Sequence, residues 1–155
     1  MIIDELEYYQ EVDLPIFQAE LADWLPEKIF DVHTHSWLPE HNLEPIFNER
    51  VGLVFEAESV SKEDLQEAYR LLFPGKRLEY LAFGVPLTTV DRVANNSYIS
   101  QSIDNQRSFG LYLAHPSENA ETLLQNLKNG GFVGVKPYLS YVTWKALEEV
   151  RIRDF

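Results

Sequence analysis

The chain has 155 residues, of which 45% are hydrophobic and 25% are charged, a composition typical of a soluble globular protein. No stretch approaches the roughly 18 apolar residues of a membrane-spanning helix, and Met1 opens an acidic segment rather than a signal peptide, so the sequence predicts a cytoplasmic protein without a membrane partner. The 13 Lys and Arg residues against 25 Asp and Glu give a net charge of -12, which disfavours nucleic-acid binding, and the absence of Cys excludes disulfides, thiolate metal sites and a cysteine nucleophile.

The first part of the chain predicts an acidic helical lead-in followed by a strand. The lead-in covers residues 1–28, in which Leu21, Trp24 and Leu25 are candidates to cover an apolar surface. Residues 29–35 (Ile-Phe-Asp-Val-His-Thr-His) alternate between two faces, as a strand does.

The rest of the chain alternates helices and strands. A capping box at Ser61 and Asp64 begins a helix that Pro74 and Gly75 end. The further predicted elements are a strand, a helix, a strand, a helix with Ser117 as its N-cap, a strand and a last helical or irregular piece, at 78–86, 91–105, 109–115, 117–130, 132–139 and 143–155. This order implies parallel strands with right-handed crossovers, in a barrel or an open sheet, and no linker divides residues 1–155 into two domains.

The main chemical signal is the segment Asp31-Val32-His33-Thr34-His35. Because side chains alternate along a strand, Asp31, His33 and His35 are expected to share a face. Two imidazoles near the C-terminal end of a parallel strand can reach one ion, and a divalent transition metal suits them. Asp31, one step deeper, is expected to orient a ligand histidine or to neutralise charge. The plain alternative is two histidines that happen to lie near each other before a polar loop.

The same segment resembles the first barrel strand of the amidohydrolase superfamily, especially its amidohydrolase-related branch. The lead-in at 25–30 (Leu-Pro-Glu-Lys-Ile-Phe) adds to the resemblance, and residues 131–138 (Gly-Phe-Val-Gly-Val-Lys-Pro-Tyr) are similar to the fourth strand of that branch. The resemblance implies a (β/α)₈ TIM barrel with one or two divalent metals that activate a water for attack on an amide, ester or lactone of a small-molecule substrate. The expected ligands are His33 and His35, and the expected metal is zinc, with manganese and iron as alternatives.

The family also draws further histidines and a catalytic Asp from later strands. Only four strands are predicted here, and a barrel of this type typically needs about 250 residues. We therefore expect a truncated N-terminal part of a barrel, with residues 29–155 as its first units and the catalytic carboxylate beyond Phe155. A homo-oligomer, or pairing with the missing half of the barrel, is an open alternative.

Other residues near the motif are weaker candidates. Lys136 ends the fourth predicted strand, where some relatives carry a carboxylated lysine that bridges two metals; an unmodified lysine that pairs with a carboxylate or a substrate anion is the preferred alternative. His115 ends the third strand at the same rim, although a histidine at such a turn is often only hydrogen-bonded locally. Tyr138 is expected either to line the substrate pocket or to cap the core, and Trp37 either to shape the pocket or to cover the mouth of the barrel. His41, in a proline-flanked loop, is predicted to lie on the surface.

Other functions stay open. Phosphoesterases related to histidinol phosphatase and TatD-like nucleases also begin with Asp-x-His-x-His, but they usually place it very near the N-terminus, and the acidic surface disfavours a nuclease. Some barrel relatives decarboxylate their substrates instead. From a different class, a non-catalytic remnant or assembly module would keep the fold and lack part of the ligand set.

Overall fold

The computed structural model describes residues 8–44 and 59–138. They form an α/β structure whose four parallel strands curl into half a barrel, in the order β1-β2-β3-β4. The strands are β1 Lys28–His35, β2 Arg77–Phe83, β3 Ser108–Ala114 and β4 Gly134–Pro137. All three pairings are parallel, which confirms the predicted alternation of strands and crossover helices.

Three helices of eleven residues connect these strands: α2 Lys62–Leu72, α3 Arg92–Ser102 and α4 Ala120–Gly130. A short helix, α1 Leu14–Ile16, precedes β1 and is flanked by π-helical turns at Tyr9–Asp13 and Phe17–Leu21. A 3-10 turn spans Pro39–His41. The predicted capping box of α2 is confirmed, because the Asp64 N–H donates to Ser61 Oγ and Asp64 Oδ2 accepts the Ser61 N–H.

The start of α4 differs from the prediction. Asn119, and not Ser117, is its N-cap, because Asn119 Oδ1 accepts the Thr122 N–H at 2.9 Å. The Ser117 hydroxyl is instead 2.7 Å from Nδ1 of His115. The end of α4 is as predicted, since Gly131 takes the left-handed conformation at φ 67° that favours glycine.

The helical lead-in packs against the end of α2. Tyr9 donates its hydroxyl to the Leu71 carbonyl at 2.6 Å, and the rings of Phe17 and Phe73 meet edge to face at 6.4 Å. Both lead-in aromatics are buried, whereas Trp24 is 79% exposed. The expectation that Trp24 covers an apolar surface is therefore wrong.

The described residues include two apolar clusters. The first packs the helices against one face of the sheet and consists of Tyr80, Ala82 and Ile99 with Tyr69, Tyr98, Ile103 and Phe132 around them. The second joins the segments that follow β1 and β2 and consists of Trp37, Val85 and Val90 with Val60 and Leu87. Trp37 thus belongs to the buried core beside the C-terminal ends of β1 and β2.

His41 is buried, with 5% of its surface exposed, so the prediction that it lies on the surface is wrong. The loop after β1 folds back as a 3-10 turn, in which His41 Nδ1 accepts the Leu38 N–H at 3.1 Å. The carbonyl of His41 accepts the Asp91 N–H, and its ring lies 5.6 Å from that of Tyr98. The histidine therefore anchors this loop to α3.

Two predicted features extend outside the described residues. The fourth strand was expected to reach residue 139, and the last helical piece to span 143–155; the structure describes β4 only as Gly134–Pro137. Among the helices in 8–44 and 59–138, none has the length and apolar character to cross a membrane.

Candidate metal centre

Strand β1 contains a bulge where the motif lies. Asp31 pairs with Tyr80, and Thr34 pairs with Ala82, so β1 advances three residues while β2 advances two. An extra residue on one strand reverses the alternation of faces beyond it. Asp31 and Thr34 accordingly face the same way, and both bond to the hydroxyl of Tyr69 on α2. Asp31 has left the face that strict alternation predicted for it.

The two motif histidines come together on the opposite face. Their ring centroids are 5.3 Å apart, and each ring meets the ring of Phe83 edge to face, at 5.0 Å for His33 and 4.6 Å for His35. His33 is exposed and His35 is half-buried. The pair lies at the C-terminal end of β1, where parallel barrels place their sites.

The backbone fixes the orientation of His35. Its Nδ1 lies 2.9 Å from the Gly84 carbonyl, which can only accept, so Nδ1 carries the proton and the neutral ring has its lone pair on Nε2. Burial lowers the pKa of His35, and the positive charges of His33 and Lys136 lower it further against the opposing effect of the Gly84 bond. The ring is thus held neutral, the form in which imidazole binds a metal.

Two residues of the β4 end complete the surroundings of the pair. Lys136 Nζ lies 4.7 Å from the ring centroid of Phe83 and 5.7 Å from that of Tyr138. The Tyr138 ring is 6.4 Å from that of His35, and burial raises the pKa of its hydroxyl, which therefore stays protonated at neutral pH. The structure thus gathers predicted residues from β1 and β4 around one aromatic ring.

Phe83 is the site residue that sequence reasoning missed. It is fully buried, ends β2 and pairs in register with His35. Its position at the end of a strand next to the motif strand was the available signal, because side chains at neighbouring strand ends meet at one rim.

His115 lies directly after β3 and is bonded to the turn that follows. Its backbone N–H donates to the Glu118 carboxylate at 2.8 Å, and its Nδ1 pairs with Ser117 Oγ. Glu118 in turn forms an ion pair with Arg92 at 3.0 Å. These bonds are of the local kind that sequence analysis named as the alternative to a site role.

The donor set fits a divalent metal only in part. Within residues 8–44 and 59–138, no group of three or more His, Asp or Glu side chains is placed to hold an ion. Two neutral imidazoles suit zinc, manganese or iron, but a catalytic site usually has three protein ligands. No family model and no curated protein matches this chain. The histidine pair and its surroundings are therefore the features of the molecule that bear on function.

Proposed function

We propose that this chain is part of a metal-dependent hydrolase of TIM-barrel type, and that His33 and His35 provide two ligands for a divalent metal, with zinc as the first choice. The observation that carries the proposal is the convergence of both imidazoles on one face at the end of a parallel strand. The curled four-strand sheet supports it, because an eight-stranded barrel is two such sheets closed on each other.

The residues around the pair have separate tasks. A bound divalent cation supplies a water of lowered pKa and polarises a carbonyl, the chemistry that hydrolysis of an amide, ester or lactone requires. His33 and His35 hold the cation through their ring nitrogens, and the Gly84 carbonyl keeps the His35 ring oriented. Phe83 forms an apolar wall behind both rings and keeps water from that side. Within residues 8–44 and 59–138, the side chains gathered around the pair do not include the carboxylate that takes the proton.

Lys136 is proposed to hold a negatively charged group of the small-molecule substrate. Its ammonium lies against two aromatic rings close to the histidine pair, where a fixed positive charge attracts a carboxylate or a developing oxyanion. A carboxylated Lys136 that bridges two metals is the alternative. ¹³C NMR at neutral pH of protein prepared with ¹³C-bicarbonate separates the two, because only the carboxylated side chain gives a carbamate resonance that Lys136→Ala removes.

The metal proposal is tested by calorimetric titration of the whole chain with Zn²⁺. We expect binding by the native protein, loss of binding in His33→Ala and in His35→Ala, and no change in His115→Ala, which removes the histidine that follows β3. Equal binding by all four proteins would contradict the assignment. Loss in His115→Ala as well would add His115 to the ligand set.

The reaction class is tested with the Zn²⁺-loaded protein and a panel of chromogenic amides, esters, lactones and phosphoesters, together with carboxylates that can lose carbon dioxide. Hydrolysis of a carbonyl substrate that stops in His33→Ala supports the proposal. Release of phosphate alone favours the phosphoesterase, and release of carbon dioxide from a carboxylate substrate favours the decarboxylase. Failure to bind any divalent metal leaves the non-catalytic module as the better account.

A further inference from the structure

A chain of hydrogen bonds connects helix α2 to the bulge in β1. Tyr69 Oη lies 2.9 Å from Asp31 Oδ2 and 2.8 Å from Thr34 Oγ1. Because a carboxylate only accepts, Tyr69 donates to Asp31, and the Thr34 hydroxyl donates to Tyr69. The other carboxylate oxygen, Asp31 Oδ1, accepts the backbone N–H of His33 at 2.9 Å. This series of hydrogen bonds therefore joins both ends of the bulge and includes the backbone N–H of His33.

Tyr69, at the centre of this series of hydrogen bonds, packs against the apolar core. Its ring lies 5.7 Å from that of Tyr80 and packs on the cluster between sheet and helices. Thr34 is only 5% exposed, so its bond to Tyr69 is shielded from water. Burial and the nearby Asp31 carboxylate hold the pKa of the Tyr69 hydroxyl far above its usual range, and the hydroxyl therefore remains a donor at neutral pH. Polar bonds in such surroundings are stronger than those in water.

The Tyr69 hydroxyl can bond to both Asp31 and Thr34 only because β1 has a bulge between them. In a regular strand, Asp31 and Thr34 would lie on opposite faces, and one hydroxyl would not reach both. With the extra residue, both side chains face α2 while His33 and His35 face Phe83 on the other side.

We propose that Tyr69 is a positioning residue for the histidine pair: its hydroxyl fixes the β1 bulge and so turns both imidazoles toward one point. The Tyr69 hydroxyl acts through Asp31 and Thr34, whose side chains lie on the other face of the strand from the two rings. The consequence for metal affinity rests on the proposed function; the consequence for the ring geometry does not.

Tyr69→Phe removes the hydroxyl and keeps the ring. The matched control is Tyr98→Phe in the same core cluster, whose hydroxyl accepts the Lys62 N–H at 2.8 Å. In metal-free protein, we expect NMR cross-relaxation peaks between the rings of His33 and His35, and between each of these rings and Phe83, to be lost in Tyr69→Phe and kept in the control. Peaks that persist unchanged in Tyr69→Phe would overturn the proposal, with or without metal binding.

A second readout is the affinity for Co²⁺, measured from its visible absorption spectrum. Partners that orient a ligand commonly contribute 10- to 100-fold to metal affinity, so we expect a loss of about that size in Tyr69→Phe and none in the control. If the native protein does not bind Co²⁺, the proposed function fails, while the ring contacts still decide the role of Tyr69. If Tyr69→Phe does not fold, Thr34→Val removes the hydroxyl that donates to Tyr69, and unchanged ring contacts in that variant would overturn the proposal.

Discussion

The two faces of the sheet differ in how much of their side-chain surface is exposed to solvent. The helix face, defined by Tyr80 and Ala82 with Ile99 against them, is almost fully buried. The histidine face, defined by Phe30, His33, His35 and Phe83, includes side chains that are partly or largely open, and Phe30 is 46% exposed. Side chains that are buried and bonded on all sides stabilise a fold, whereas a binding site leaves polar groups available at some cost in stability. Substitutions on the helix face should therefore lower the free energy of unfolding, whereas substitutions on the histidine face should weaken metal binding with little change in stability.

The largest loss of stability is expected from Asn95→Ala, on the helix side of the rim. Asn95 is fully buried, its Oδ1 accepts the Val85 N–H and its Nδ2 donates to the Ser36 carbonyl, both at 2.9 Å. The alanine leaves a buried donor and a buried acceptor without partners, and we expect a decrease of about 3 kcal/mol in the free energy of unfolding. Urea denaturation measures this decrease, and Asn129→Ala, which replaces an exposed asparagine on α4, is the control. Equal curves for the two variants would contradict the comparison.

A smaller loss is expected from Gly84→Ala, between the two faces. A Cβ on Gly84 would lie 2.4 Å from Asn95 Oδ1 and 3.0 Å from Leu113 Cδ1, and overpacking of this kind costs about 2 kcal/mol. Gly75→Ala is the control for backbone strain alone, since its φ is +78° with open space around it, and about 1 kcal/mol is expected there. A larger decrease in melting temperature for Gly75→Ala than for Gly84→Ala would show that the Asn95 side chain moves to make room for the added methyl group.

The histidine face should behave in the opposite way. His33→Ala removes an exposed ring, so we expect the free energy of unfolding of the metal-free protein to change by no more than about 0.5 kcal/mol. The same variant should lose Zn²⁺ binding. A loss of stability as large as that of Asn95→Ala would mean that the histidine pair is structural, and the distinction between the two faces would fail.

The smallest effect is a dependence of stability on pH through His41. Burial lowers the pKa of His41 below its usual 6.5, despite the opposing charges of Glu40 and Asp91. The unfolded chain therefore binds this proton more readily, so the contribution to stability is present above pH 6.5 and is lost as pH falls through the lower folded pKa.

His41→Asn isolates this contribution. The Asn side chain can accept the Leu38 N–H without titrating, so we expect urea midpoints to fall less on acidification than in the native protein. Part of the acid loss should remain, because the pKa of His35 is lowered as well. An identical acid response in both proteins would contradict a buried, neutral His41.

Local sequence signals predicted most of the fold, and contacts between distant residues account for what they missed. The Ser61 and Asp64 cap and the Gly131 stop act within one helix turn, and both are as predicted. The bulge depends on Tyr69, which is 35 residues from Thr34 in the chain, and no strand pattern contains that information. The burial of His41 likewise depends on a ring of α3.

The positions of the side chains around the histidine pair were predicted in the same uneven way. The spacing of His33 and His35 identified the pair, and the position of Lys136 at the end of the fourth predicted strand indicated the same end of the sheet, where its Nζ lies 4.7 Å from the Phe83 ring. The position of Asp31 was misjudged because alternation holds only in a regular strand. Phe83 was missed because its role depends on register between β1 and β2, which neither segment specifies alone.

The central claim is that His33 and His35 bind one divalent cation together. The most direct measurement is the ¹⁵N NMR spectrum of all imidazole rings during titration of the whole chain with Zn²⁺. We predict that one ring nitrogen of His33 and one of His35 shift together at the same metal ratio, while the resonances of His41 stay in place. Resonances of His33 and His35 that remain unchanged at saturating Zn²⁺, or that shift independently of each other, would contradict the claim.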